Sequence, residues 1–169
     1  MAGEITKGIN EDNVIDGVVN YLKDRHRHRD GFRVLHRSYA KDGDKGIDLK
    51  CAAYSNGVIS NRFYVEAKGN LKAKDDSEKK TKFETEFRWA ISQIVLQMKE
   101  LSGATVYGIA IPEAEKDKCL RLMSNNKGLK KLGVRLYLSY KAENGEYFAK
   151  EMKPKDIYKY YLTSLVSLL

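Results

Sequence analysis

Two apolar runs joined by Asn56-Gly57 constrain this chain more than any other feature. Residues 47–54 and 58–68 alternate apolar and polar side chains over much of their length, which is the period of a strand with one face on a core. Asn-Gly between such runs is a strong hairpin signal, because both residues accept the left-handed backbone of a two-residue turn. The two runs are therefore expected to pair antiparallel. Ile47, Leu49, Cys51 and Ala53 then share one face with Phe63, Val65 and Ala67 of the partner. Asp48 and Lys50 point the other way, as do Arg62, Tyr64, Glu66 and Lys68.

The rest of the chain reads around this hairpin. Asn10 caps a first helix, with Glu11 and Asp12 in its opening turn and Val14, Ile15, Val18, Tyr21 and Leu22 at helical spacing. That helix ends in the basic run 25–29, before Gly31. A strand at 32–39 precedes the turn-rich stretch 42–46, which contains Lys45. Residues 68–82 read as a mobile, lysine-rich loop. A long helix over 83–101 follows, with Phe87, Ile91, Ile94 and Met98 as its buried stripe and Gly103 beyond its end. The continuous apolar run 104–111 reads as a buried strand. Pro112 and Glu113 open a helix to about Ser124, and 134–140 is a further strand. Asn144-Gly145 marks a turn, and 147–150 a short edge strand. Pro154 starts a C-terminal helix carrying Ile157, Tyr161, Leu162, Leu165 and Val166. The element order is α-β-β-β-α-β-α-β plus a C-terminal helix, an α/β arrangement in one domain. Its core spans about residues 10–140, with 141–169 as an extension.

Composition narrows the function. Among 169 residues, 31 basic and 23 acidic side chains leave a net charge of +8, and 42% of the chain is hydrophobic. That is a folded domain that favours an anionic partner, nucleic acid first. No apolar run reaches the roughly 18 residues of a membrane span. The start of the chain has no hydrophobic signal region, so a cytoplasmic protein without a membrane partner is expected. The two cysteines, Cys51 and Cys119, are too few and too far apart for a disulfide framework or a cysteine zinc site.

The chemistry concentrates on the polar side of the hairpin. Two carboxylates on neighbouring strands repel unless something positive sits between them. A Mg²⁺ ion suits that position, since it takes oxygen ligands and keeps several waters. A lysine beside it can position a water or stabilise charge on a phosphate, which is chemistry for phosphodiester hydrolysis. Acid-x-Lys alone carries little information, for Asp48-Leu49-Lys50, Glu78-Lys79-Lys80 and Glu151-Met152-Lys153 also fit it. Only Glu66-Ala67-Lys68 ends an apolar strand, follows a partner carrying Gly46-Ile47-Asp48, and precedes Gly69.

Gly46-Ile47-Asp48-Leu49 followed by Tyr64-Val65-Glu66-Ala67-Lys68-Gly69 resembles the PD-(D/E)XK nuclease superfamily, which includes many restriction endonucleases and archaeal Holliday-junction resolvases. Ile47 stands where the pattern has proline, a departure shared by many members. The resemblance implies a restriction-endonuclease-like core, a central mixed sheet flanked by helices. It implies a nuclease dependent on Mg²⁺ or Mn²⁺, with Asp48 and Glu66 as metal ligands and Lys68 as the catalytic lysine. Many members also carry a glutamine on the helix after the lysine strand. Here Glu86, Ala90, Gln93 and Gln97 fall on one stripe, and Gln93 is the candidate to orient water or touch the scissile phosphate, with Gln97 as its partner. Several members place a helix carboxylate near the metal, which makes Glu11 a further candidate ligand. Its alternative role is a charge favoured by the helix N-terminal dipole.

Lys45, Lys72, Lys74 and Gln97 are candidates for contact with nucleic acid, and Lys79, Lys80 and Lys82 crowd the same stretch. Asp75, Asp76 and Glu78 partly cancel these charges, so a solvated loop is the competing reading. His26, His28 and His36 are expected to be packed or solvated rather than metal-bound, with His36 placed to face a substrate groove. The stretch 125–131 is a second basic candidate surface. The leading expectation is a divalent-metal-dependent endonuclease acting on nucleic acid, DNA first, with a homodimer plausible for double-strand cutting. The alternatives are a non-catalytic nucleic-acid-binding or assembly subunit on the same fold, and a protein-interaction module using the apolar C-terminus.

Overall fold

The computed structural model describes residues 9–27, 31–38, 46–70, 76–99, 103–124 and 126–159. Six strands form one sheet in chain order: β1 (Gly31–Arg37), β2 (Leu49–Ser55), β3 (Val58–Ala67), β4 (Thr105–Pro112), β5 (Arg135–Lys141) and β6 (Tyr147–Met152). β1–β2 and β2–β3 are antiparallel, β3–β4 and β4–β5 are parallel, and β6 returns antiparallel to β5. The sheet is thus mixed. Asn56 and Gly57 take φ of 53° and 74°, the left-handed pair that the β2–β3 hairpin needs.

Helices cover both faces. α1 (Glu11–Arg25) starts at Asn10, whose side chain accepts the Asn13 N–H at 2.8 Å. Val14, Ile15, Val18 and Leu22 of α1 pack on Leu49, Cys51, Ala53, Phe63, Val65 and Ala67. On the other face, α2 (Asp76–Gln97) and α3 (Lys116–Ser124) bury Phe83, Phe87, Ala90, Ile94, Leu120 and Met123 against Tyr107, Ile109, Leu136 and Leu138. Cys51 and Cys119 are buried free thiols. No helix among the described residues is long and apolar enough to cross a membrane.

Several expectations are corrected. Ile47 belongs to the α2-side core, not to the face of Leu49 and Cys51. The chain bends over residues 46–48 and strand alternation begins only at Leu49. α2 starts at Asp76 rather than Phe83. The Lys- and Glu-rich residues that read as loop are good helix formers, and apolar periodicity does not report them. Lys79, Lys80 and Lys82 are therefore on a helix, while Lys45, Lys72 and Lys74 lie outside the described residues. A single 3₁₀ turn (Glu113–Glu115) precedes α3. Residues 127–131 form a short helix, α4 (Lys127–Lys131), capped by the Asn126 side chain on the Gly128 and Leu129 N–H groups. The sheet continues past residue 140, because β6 pairs along the whole of β5. Residues 154–159 are helical and bury Ile157; Tyr161, Leu162, Leu165 and Val166 lie outside the described residues.

α1 is fixed on the sheet at several points, and this decides where its first turn sits. Arg37 of β1 pairs with Asp16 at 2.6 Å. The Ser139 hydroxyl donates to the Val14 carbonyl at 2.9 Å. At the other end Glu151 of β6 accepts from Arg25 and Arg135, each at 2.5 Å. Burial works against the Glu151 charge, but the two guanidinium groups outweigh it and hold its pKa below the usual value. Gly17 lets the helix approach the sheet: a Cβ there would lie 2.7 Å from the Phe148 carbonyl oxygen and 2.8 Å from Ser139 Oγ. Gly17→Ala must push α1 off the sheet and is expected to destabilise the protein by about 1–3 kcal/mol in urea unfolding, despite alanine's better helix propensity.

Candidate active site

The end of β3 and the start of β2 meet through one buried hydrogen bond. The Ala67 N–H donates to Asp48 Oδ2 at 2.7 Å. Asp48 sits at the bend before β2 and cannot hand its carboxylate to solvent, being only 7% exposed. Glu66, 3% exposed, lies on the α2-side face, since its neighbours in register, Ile109 and the next pair Tyr64 and Tyr107, belong to or pack on that core. The structure brings Asp48, Glu66 and Lys68 together.

Lys68 follows the strand. Its backbone N–H still pairs with the Ala110 carbonyl at 2.9 Å. Its Nζ donates to Glu66 Oε1 at 3.0 Å and lies 3.8 Å from Glu11 Oε2. Glu11 reaches it because the next residue is glycine. A Cβ on Gly69 would stand 2.5 Å from the Glu11 nitrogen and 2.8 Å from the Asn10 carbonyl carbon. The Asn70 N–H then bonds to the Ile9 carbonyl at 2.8 Å. The first turn of α1 is thereby seated over the chain that leaves β3.

The electrostatics are those of acids held together out of water. Burial pushes the Glu66 carboxyl up to about 7; the Asp48 charge adds to this, and Lys68 opposes it. Burial also raises Asp48, against the Ala67 N–H, Lys68, a hydrogen bond from the protonated Glu66 carboxyl, and His36, which favour its charged form. Burial raises Glu11 as well, with Asp48, Asp12 and Glu86 adding to it and Lys68 opposing. For Lys68, burial works against the charge, but Glu66, Glu11 and Asp48 outweigh it and hold its pKa above the usual value. One carboxylate oxygen, Glu66 Oε2, is buried with no hydrogen-bond partner. A buried acceptor left in this way needs a proton or a cation.

These residues fit a divalent cation in part. Asp48 and Glu66 are adjacent hard oxygen donors, and Glu66 Oε2 lacks a partner. Among the described residues no three His, Cys, Asp or Glu groups form a ligand cluster. Glu11 is joined to the pair through Lys68.

Other candidates fall at different distances from this centre. Gln93 is half-buried and bonds to none of the site residues among those described; it lies about 10 Å along α2 from Glu86 at 1.5 Å per residue. Gln97 lies a further turn away. Glu86 is the α2 side chain whose charge is felt at Glu11. Sequence reading had it on the same stripe but assigned it no role, because a carboxylate on a half-polar helix face carries no signal of its own. His36 is half-buried on β1 and acts on Asp48 from there. His26 is packed between the rings of Phe32 and Phe63, at 6.5 and 5.3 Å, and His28 lies outside the described residues. Gly69 is the positioning residue that sequence reading noted without its reason.

Glu66 titrates above an unfolded-chain carboxyl, so its burial costs stability as it ionises. The native state holds the proton more tightly than the unfolded state between about pH 4.5 and 7. Stability is therefore lost as pH rises through that window. Glu66→Gln, which cannot ionise, is expected to match the parent near pH 4. Without metal it should be more stable than the parent at pH 8, by roughly 1 kcal/mol or more. Thermal melts in chelator across that range check the sign.

Compared with protein-family models, characterised proteins and solved structures, the chain gives no match, so the case for this site rests on its own residues and geometry.

Proposed function

We propose that the protein is a divalent-metal-dependent endonuclease of the PD-(D/E)XK type with a restriction-endonuclease-like core, acting on DNA. The observation that carries the reading is the buried pair Asp48 and Glu66, with Glu66 Oε2 unpartnered and Lys68 Nζ 3.0 Å from Glu66 Oε1. A structural ion pair would give both carboxyls a donor; here Glu66 Oε2 has none unless the Asp48–Glu66 pair shares a proton, at a stability cost that a functional site explains. The mixed sheet flanked by helices supports the reading.

Asp48 and Glu66 would hold Mg²⁺ or Mn²⁺, with Glu11 as a further candidate. The metal, when bound, would lower the pKa of a water and stabilise charge on the scissile phosphate. The chain's own groups do the rest. The Ala67 N–H fixes the Asp48 carboxylate. Glu66 and Glu11 keep Lys68 charged and hold its ammonium at the site, where it can bind a phosphate oxygen or a water. Burial excludes bulk water from the two carboxyls. One such centre cuts one strand, so a homodimer would be needed for concerted double-strand cutting.

The test is incubation of the purified protein with plasmid and single-stranded DNA in Mg²⁺, Mn²⁺ or chelator, beside Glu66→Ala. Metal-dependent cleavage lost in the variant is expected. Cleavage that persists in chelator, or equally in Glu66→Ala, would sink the reading. Lys68→Met should lower the cleavage rate about 10²–10³-fold, the scale of losing one charge-stabilising donor, while calorimetric metal binding is retained.

A further inference from the structure

Among the described residues, the α2-side face of β1 and β2 that leads away from the site lies outside the hydrophobic core. The core on that side takes residues from β4, β5, α2 and α3, and none from β1 or β2. Side chains in register share a face, which places successive rows on this surface. The Asp48–Glu66 pair, joined beside the end of β3, stands at their head. His36, Lys50 and Tyr64 form the first row, and Arg33, Ala52 and Arg62 the second. Arg33 lies over the Tyr54 ring at 5.2 Å, which adds an aromatic plane beyond it. Rows two residues apart are about 6.7 Å apart, and strands about 4.8 Å. Lys50 is thus one step from the carboxyl pair, and Arg33 and Arg62 are two steps away, about 10 Å from each other across the buried Ala52.

These cations differ from the other basic groups near the sheet. Arg37, Arg25 and Arg135 are tied to carboxylates. Among the described residues Lys50 and Arg62 have no acidic partner, and the recorded contact of Arg33 is the Tyr54 ring. Arg33 and Arg62 are exposed and Lys50 is half-buried. A surface with three uncompensated positive charges in line with two acids is unfavourable for the free protein by self-repulsion and suits a chain of phosphates.

The opposite wall is a flank of α2. Ile91 and Met98 pack on the core from one side of that helix. Glu86, Gln93 and Gln97 are half-buried on the other flank, and Glu86 acts on Glu11 at the site. Gln93 and Gln97 share that flank of α2 with Glu86 at helical spacing.

We propose that Arg33, Lys50 and Arg62 form a phosphate track that delivers one nucleic-acid strand along the β1–β3 face to the Asp48–Glu66–Lys68 centre, with Gln93 and Gln97 as its polar wall. The proposal rests on the nuclease reading and names the surface that reading needs.

The experiment measures binding, in chelator, of a fluorescently labelled 20-nucleotide single strand and its duplex by anisotropy across a salt series. The proteins are the parent, R33Q/K50Q/R62Q, and K141Q/K153Q/K155Q, which loses the same charge from exposed lysines at the β5–β6 end of the sheet and beyond it. The track variant should weaken single-strand binding at least about 10-fold. Its salt slope should fall by about 2, at roughly 0.7 per phosphate contact. The control should stay within about 2-fold. Equal weakening by both variants, or an unchanged track variant beside a parent that binds, overturns the track, and metal-dependent cleavage by the parent then leaves the nuclease reading standing. A parent that neither binds nor cleaves any nucleic acid removes both. Single substitutions with unchanged melting temperature replace the triple variant if it does not fold.

Discussion

Two carboxyl groups buried side by side are the costliest arrangement in this protein, and much of the surrounding structure serves to hold it. Neither Asp48 nor Glu66 has the water that a carboxylate ordinarily recruits. A backbone N–H, a lysine and a third acid compensate only in part, and one oxygen of Glu66 stays without a partner. A core built for stability alone would place apolar side chains there. The protein instead keeps acids that are harder to ionise and a lysine that is harder to neutralise.

That arrangement depends on α1 as much as on the hairpin. Glu11 reaches Lys68 only because the first turn of the helix lies over Gly69, and the turn lies there because the rest of the helix is held on the sheet. The Glu151 cluster with Arg25 and Arg135 does this from the far end, through a strand that contributes nothing to the chemistry. Glu151-Met152-Lys153 has the same acid-x-Lys spacing as Glu66-Ala67-Lys68 but an opposite fate. Arginines satisfy its carboxylate and pull its pKa down, whereas Glu66 is left partly unsatisfied and pushed up. Partner chemistry, not spacing, separates a structural acid from a candidate catalytic one.

The asymmetry of the sheet adds the second element. α1 covers one face, while the core under α2 and α3 on the other takes its strand residues from β4 and β5, with Tyr64 of β3 packed against it, and none from β1 or β2. β1, β2 and β3 carry on that face cations that have no acidic partner among the described residues, starting from the row beside the two acids. Net positive charge alone says little about where an anionic partner binds. Its distribution over one face says much more.

The hairpin and the capped first helix were legible in the sequence, because each follows from local rules of turn chemistry and N-capping; the register was not, since a bulge between Ala53 and Tyr54 shifts it by one residue and so places Lys50 opposite Tyr64. The start of α2 and the length of β6 were not, since lysine-rich helices and edge strands carry weak apolar periodicity. Ile47 was assigned to the wrong face because alternation holds only inside a strand, and the chain bends before Leu49. The nearness of Glu11 and Glu86, the seat that Gly69 makes, and the basic face arise from contacts between distant residues, which no local pattern encodes. The sequence by itself determined which residues could do acid and phosphate chemistry and that two of them would share a hairpin face. Only the tertiary structure decided how deeply they are buried, which charges oppose them and which strands lie outside the α2-side core, because desolvation and Coulomb interactions depend on distances through space rather than along the chain.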